Sequence, residues 1–160
     1  HRPRHRSASR ERGAPLTGAR RVRAFTRGSS SPRYHGRVID NPRSPRVRAA
    51  AKLAKKNQRA ETGLFLVEGP QAVAEALQHC PDRVVEVFCT AAALDRHPSL
   101  LRDADAAGVR VERVTDAVLE VIADTVTPQG VVAACRERTV ALDDLVAAAP
   151  RMVAVLEDAR

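Results

Sequence analysis

Aromatic residues are nearly absent. The 160-residue chain has no tryptophan, one tyrosine and three phenylalanines, 2% of its composition. A core must therefore be assembled from Ala, Val and Leu, and ligand recognition by a platform of stacked rings is not expected. Cysteine is also scarce. Cys80, Cys89 and Cys135 have no paired spacing, which excludes a disulfide framework and points to a reducing compartment. No apolar run approaches the ~20 residues of a membrane-spanning helix. No G-x-G-x-x-G or phosphate-loop pattern occurs, so nucleotide sites of the usual kinds are not expected.

Acids are missing from one part of the chain and lysines from the other. Residues 1–60 carry 18 Lys and Arg against two acids, Glu11 and Asp40, a net of +16. Residues 61–160 carry 9 Arg, no Lys and 17 acids, a net of −8, which leaves +8 overall. A basic arm is thus joined to a mildly acidic body, and a polyanionic partner would engage mostly the first 60 residues.

Residues 1–39 hold Pro3, Pro15 and Pro32, the run Gly28-Ser29-Ser30-Ser31 and scattered Arg with few aliphatics. Such a stretch cannot bury enough apolar surface to offset the entropy of ordering, so a disordered arm is expected. Three readings stay open for it: a nucleic-acid-binding tail, an organelle transit peptide, or an extension without function.

The pattern changes at Asp40. Asn41-Pro42-Arg43-Ser44-Pro45 reads as a turn entering a helix, with Ser44 as N-cap and Pro45 in the first helical position. Arg46 to Arg59 reads as one helix with a modest apolar face of Val47, Ala50, Ala51, Leu53 and Ala54. Arg46, Arg48, Lys52, Lys55, Lys56 and Arg59 load the rest. No acid lies between Arg43 and Ala60, so i,i+4 pairing does not account for these charges, and phosphate contact is favoured over a merely solvated face.

From Gly63 the rhythm is regular. Leu64–Val67, Val84–Cys89, Val109–Val114 and Val131–Cys135 read as strands. Gln71–His79, a stretch within Pro98–Ala107, Thr115–Ala123 and Leu142–Ala148 read as helices. Gly108 is placed where a left-handed residue closes a helix. Strands alternating with helices predict a layered α/β domain over residues 40–148 with a largely parallel sheet. Met152–Leu156 reads as a further strand beyond Pro150, the expected start of a second domain over 149–160.

Catalytic and metal-ligating groups do not assemble in the sequence. Cys89 and Cys135 read as small core residues, and Phe65 as core. His79-Cys80 are adjacent, which suits chelation poorly, and His97 lies in a polar stretch. Glu68 stands between a buried strand and Gly69-Pro70, where ligand crevices of α/β sheets lie; the other reading is an acid favoured by a helix start.

The segment Arg46-Val47-Arg48 through Lys52, Lys55, Lys56 and Arg59, followed by Gly63-Leu64-Phe65-Leu66-Val67-Glu68-Gly69, resembles the start of the SpoU/TrmH-type RNA 2′-O-ribose methyltransferases. Val114-Thr115-Asp116-Ala117-Val118 and Asp124-Thr125-Val126-Thr127-Pro128-Gln129-Gly130-Val131 are similar to the same family further on. Pro150–Asp158 resembles the first strand of its catalytic domain.

The resemblance covers about residues 40–160. It implies an N-terminal RNA-substrate-binding α/β sandwich similar to kink-turn-binding ribosomal proteins, and a knotted catalytic domain that binds S-adenosylmethionine and dimerises. The family's N-x-x-x-R motif does not occur before Arg160, so no catalytic, cofactor-binding or metal residue is carried over, and this chain alone is expected to be inactive. The implied function is recognition of structured, ribosomal RNA for methylation in the cytoplasm, by a parent that is a homodimer, with no membrane partner. The residues expected to meet RNA are Arg43, Arg46, Arg48, Lys52, Lys55, Lys56 and Arg59 through phosphates, and Glu68, Gly69 and Gln129 through a flipped base or ribose. A stand-alone ribosomal-protein-like RNA-binding module and a metabolic α/β enzyme fragment are the competing readings.

Overall fold

A computed structural model describes residues 37–155. Of the basic arm expected over 1–39, residues 1–36 lie outside the described part. The ordered chain opens as the sequence suggests. Asn41 Oδ1 accepts from the Arg43 amide at 2.9 Å. Ser44 Oγ then caps the first helix by accepting from the Val47 amide at 3.3 Å, with Pro45 as its first residue.

That helix, α1, spans only Pro45–Ala51. The single helix expected over Arg46–Arg59 is broken. A 3-10 turn covers Lys52–Ala54, Lys55 is extended at φ −90° and ψ 129°, and α2 begins afresh over Lys56–Thr62. The break lets the chain turn back toward the sheet while Leu53 stays buried against Leu64 and Ala134. Gly63, at φ 64°, closes α2, and β1 follows over Leu64–Glu68.

The remaining elements are α3 (Pro70–His79), β2 (Val84–Cys89), α4 (Ala91–Arg96), α5 (Ser99–Ala106), β3 (Arg110–Arg113), α6 (Asp116–Ile122), β4 (Val131–Arg136) and α7 (Leu142–Ala147). Helix α4 was not legible: Ala91-Ala92-Ala93 offers little periodicity. Its cap is Thr90, whose Oγ1 accepts from the Ala93 amide at 3.3 Å.

The sheet order is β1-β4-β2-β3. Both pairs that involve β4 are antiparallel, and only β2 and β3 run parallel. The expectation of a largely parallel sheet is therefore corrected. The cause is the connection after α6. Residues 123–130 return at the end of the sheet where β1 and β2 finish, so β4 must run back between them.

The two faces of the sheet are both covered, as expected for an α/β sandwich. Val73 and Leu77 of α3, Ala93 and Leu94 of α4, and Leu100 and Ala104 of α5 bury Val87, Cys89, Val111, Val131, Ala133 and Cys135. On the other face, Val47 and Ala50 of α1 and Val118, Leu119 and Ile122 of α6 enclose Phe88, Val114 and Val132. A bulge between Val84 and Glu86 shifts the β2 register and puts Val84 on the same face as Val87.

Two apolar expectations change. Phe65 is exposed at the rim, because β1 is an edge strand. Met152–Val155, expected as part of a strand, form no ladder and are exposed. Leu156 lies outside the described residues.

Candidate nucleic-acid interface

The cations of the basic segment divide into two groups. Arg46 turns inward. Its Nε donates to Glu86 Oε2 at 2.7 Å, its Nη2 makes a second contact with the same oxygen, and its Nη1 lies 2.8 Å from Glu112 Oε1. The contact with Glu112 is a charge contact off the hydrogen-bond direction, so that oxygen counts as unbonded. Glu86 and Glu112 are buried side by side on β2 and β3. Burial pushes the Glu86 carboxyl above its ordinary range, against the opposing pull of the Arg46 guanidinium. Arg46 was expected to meet phosphate. It clamps α1 to the sheet instead, because two buried carboxylates need a cation. An acid among the apolar residues of β2, and another between Val111 and Arg113 of β3, was the available sign.

Arg59 is also structural. Its Nη1 donates to the Leu53 carbonyl at 3.2 Å and the Ala54 carbonyl at 2.7 Å. These are carbonyls left open where the 3-10 turn ends, and the guanidinium takes the place of the missing helical amides.

Arg43, Arg48, Lys52, Lys55 and Lys56 make up the second group. All five are exposed. Among the described residues none of them lies within ion-pair distance of a carboxylate. They stand on the turn before α1, on α1 and along the break, with their charge open to solvent.

Glu68, Gly69 and Gln129 are brought together at the finishing end of β1. Gly69 has φ 91°, and a Cβ placed on it would meet Gln129 Oε1 at 3.3 Å. The Gly69 amide donates to the Val131 carbonyl at 2.9 Å. Glu68 is already engaged: Oε1 accepts from the Asp124 amide and Oε2 from the Thr125 hydroxyl, each at 2.7 Å. It staples the 123–130 loop to β1. The expected base-reading carboxylate therefore serves as a loop anchor. Gln129 is exposed.

Chain continuity puts the end of α2 at the start of β1 and Glu68 at its finish, five residues or roughly 17 Å away.

The buried thiols take no part. Burial pushes Cys89 up to about 12 and Cys135 up to about 11, so both stay protonated in the core. No group of His, Cys, Asp and Glu among the described residues could hold a metal ion, and no helix among them is long and apolar enough to cross a membrane.

The comparisons agree with this architecture. The chain resembles the AdoMet-bound rRNA methyltransferase of Sinorhizobium meliloti, with a TM-score of 0.55 and 24% identity over 68% of this chain and 39% of that one. It is also similar to an RNA 2′-O ribose methyltransferase structure, with a TM-score of 0.54 and 23% identity over 66% of this chain and 40% of the other. At these identities the likeness is one of fold. The chain spans about two fifths of the length of these structures. No curated protein matches. The family model described as RNA 2′-O ribose methyltransferase substrate binding matches residues 66–141, from the middle of β1 through β4.

Proposed function

We propose that this domain holds folded, ribosomal RNA for an S-adenosylmethionine-dependent 2′-O-ribose methyltransferase of the cytoplasm. The observation that carries the reading is the set of open cations, Arg43, Arg48, Lys52, Lys55 and Lys56, beside a segment that matches the family's substrate-binding domain. Cations without carboxylate partners release counterions when they meet phosphates, which favours binding to a polyanion.

Positioning is this chain's contribution in that reading. Glu68, the acid at the end of β1 among the described residues, holds the 123–130 loop with both oxygens. No chemical step is assigned to the described residues. In the parent enzyme the donor site, and the contact between two copies, belong to the part of such enzymes that this chain does not span.

Titration of a ribosomal RNA fragment over a salt series tests the reading. The expected result is a log affinity that falls linearly with log salt. In the triple variant Lys52→Ala, Lys55→Ala, Lys56→Ala the slope drops by about two, at roughly 0.7–0.9 for each phosphate that is no longer neutralised. An unaltered slope would show that these lysines are only solvated.

A further inference from the structure

We propose that Arg136 and Arg138, at the end of β4, extend the lysine-bearing break into one surface that takes the phosphate backbone of RNA, at the end of the sheet where β1 starts. The inference rests on the RNA reading above and adds two cations from the acidic half of the chain.

Residues 61–160 carry a net charge of −8, so nothing in the sequence joins a cation of that half to the basic segment. The ladder makes the connection. Arg136 pairs with Leu64 across β1 and β4, and side chains directly opposite each other in an antiparallel pair share a face. Leu64 packs on that face with Leu53 and Ala134, and Leu53 belongs to the 3-10 turn that Lys52 opens and Lys55 follows. Arg136 therefore stands on the side of the sheet that the break covers, two residues beyond Ala134. Its backbone is held on both sides. The Arg136 amide donates to the Arg83 carbonyl at 2.9 Å, and the Glu137 amide donates to the Gly63 carbonyl at 2.8 Å. The second bond carries the chain past the end of α2, with Arg138 one residue further on. Lys56 and Thr62, the two ends of α2, are only about 9 Å apart, so one RNA strand can meet the lysines and both arginines.

Arg136 and Arg138 are exposed, and no carboxylate among the described residues lies within ion-pair distance of either. The acids at this end do not neutralise the surface. Glu61 accepts from Gln58 Nε2 at 3.1 Å, Asp82 lies 3.3 Å from Arg83 Nε, and Glu137 stands between the two arginines. Asp143 and Asp144 begin α7 and pair with neither.

The surface offers charge without rings. No aromatic residue occurs in 50–64 or 136–138, and Phe65, opposite Cys135, projects to the other face. Stacking on bases is therefore not its mode. A guanidinium fork meets two phosphate oxygens at once, and such contacts fix a backbone without reading sequence.

Fluorescence anisotropy with the full chain over a salt series tests this on two RNA hairpins of equal length and different stem sequence. The double variant Arg136→Gln, Arg138→Gln removes both charges and keeps part of each aliphatic stem. It is expected to lower the slope of log affinity against log salt by about 1.5 on both hairpins, at roughly 0.7–0.9 for each phosphate no longer neutralised. Arg136→Lys with Arg138→Lys retains most of the slope. Arg102→Gln, exposed on α5 across the sheet, leaves it unchanged. The proposal is overturned if the double Gln variant keeps the wild-type slope, if it weakens only one hairpin, or if Arg102→Gln lowers the slope as much for each charge removed. A double Gln variant with the wild-type slope, beside a lysine variant whose slope falls, ends the surface at the lysines and leaves the RNA reading standing. A wild type without salt-dependent binding to either hairpin removes both.

Discussion

Arg46 reaches from α1 to Glu86, forty residues further along the chain, and docks on one carboxylate oxygen with its Nε at 2.7 Å. The side chain that looked most like the start of a phosphate-binding stripe is thereby the link between the basic segment and the sheet. Arg46→Ala leaves the buried Glu86 without its hydrogen-bonded cation and Glu112 with only Arg110, at 3.8 Å. The expected loss is about 3 kcal/mol of unfolding free energy, at the low end for a broken buried pair because Arg46 keeps 30% exposure. Urea denaturation measures it, and a loss under about 1 kcal/mol would class the contact with ordinary surface pairs.

The same pair gives a pH dependence with a definite sign. Burial raises Glu86 above its ordinary value of 4.5, so the native state holds this proton to higher pH than the unfolded chain does. The stability this contributes is complete below about 4.5 and is lost as pH rises through the raised value. Glu86→Gln does not titrate there. Its stability relative to wild type should therefore be better at pH 7 than at pH 4. If the comparison runs the other way, attraction to Arg46 outweighs burial.

Arg59 and Lys55 lie four residues apart and should respond in opposite ways. Arg59→Ala frees the Leu53 and Ala54 carbonyls and is expected to lower stability by about 1–2 kcal/mol while leaving the salt slope of RNA binding unaltered. Lys55→Ala is expected to leave stability within about 0.5 kcal/mol and to reduce the slope. An Arg59 variant that changed only the slope would return this residue to the phosphate-contacting group.

Two left-handed glycines should differ in their tolerance of a methyl group. Gly63 has open space around an added Cβ, so Gly63→Ala costs only the backbone term of about 1–2 kcal/mol. At Gly130 the added carbon would meet Ala93 Cβ at 2.6 Å and Thr90 Oγ1 at 2.9 Å. Gly130→Ala should cost about 2 kcal/mol more than Gly63→Ala, read from the two urea midpoints. Equal midpoints would mean that α4 yields freely.

Thiol labelling gives an independent check on the core. Cys80 is exposed, whereas Cys89 and Cys135 are buried and protonated far above neutral pH. One thiol per chain should react promptly at pH 8 and the other two only on unfolding. Prompt reaction of a second thiol would contradict the packing of β2 or β4.

Much of this was legible because local chemistry decided it. The Ser44 cap, Pro45, the closure at Gly108 and the four strands are set by residues within a few positions of each other. The rest depended on distant partners. Strand direction followed from where residues 123–130 return, and the fate of Arg46 followed from acids at positions 86 and 112. Glu68 stands out by its place at a strand end, but only the fold shows that its oxygens are engaged by residues 124 and 125. Of the cations in the basic helix, sequence could not tell which face the sheet would claim, since Arg46 and Arg48 have the same neighbours in kind.

Ile39 has a consequence for everything upstream of it. Its amide donates to the Arg113 carbonyl at 2.8 Å, and its own carbonyl accepts from the Thr115 amide at 3.1 Å, so it forms a short parallel bridge outside β3. That bridge lies at the sheet end from which residues 124–129 project, four strand spacings or about 19 Å across from β1. The chain upstream therefore enters the fold through Arg37 and Ile39 at the loop side of the sheet, and a reporter attached at Arg37 would sense a ligand bound at that end.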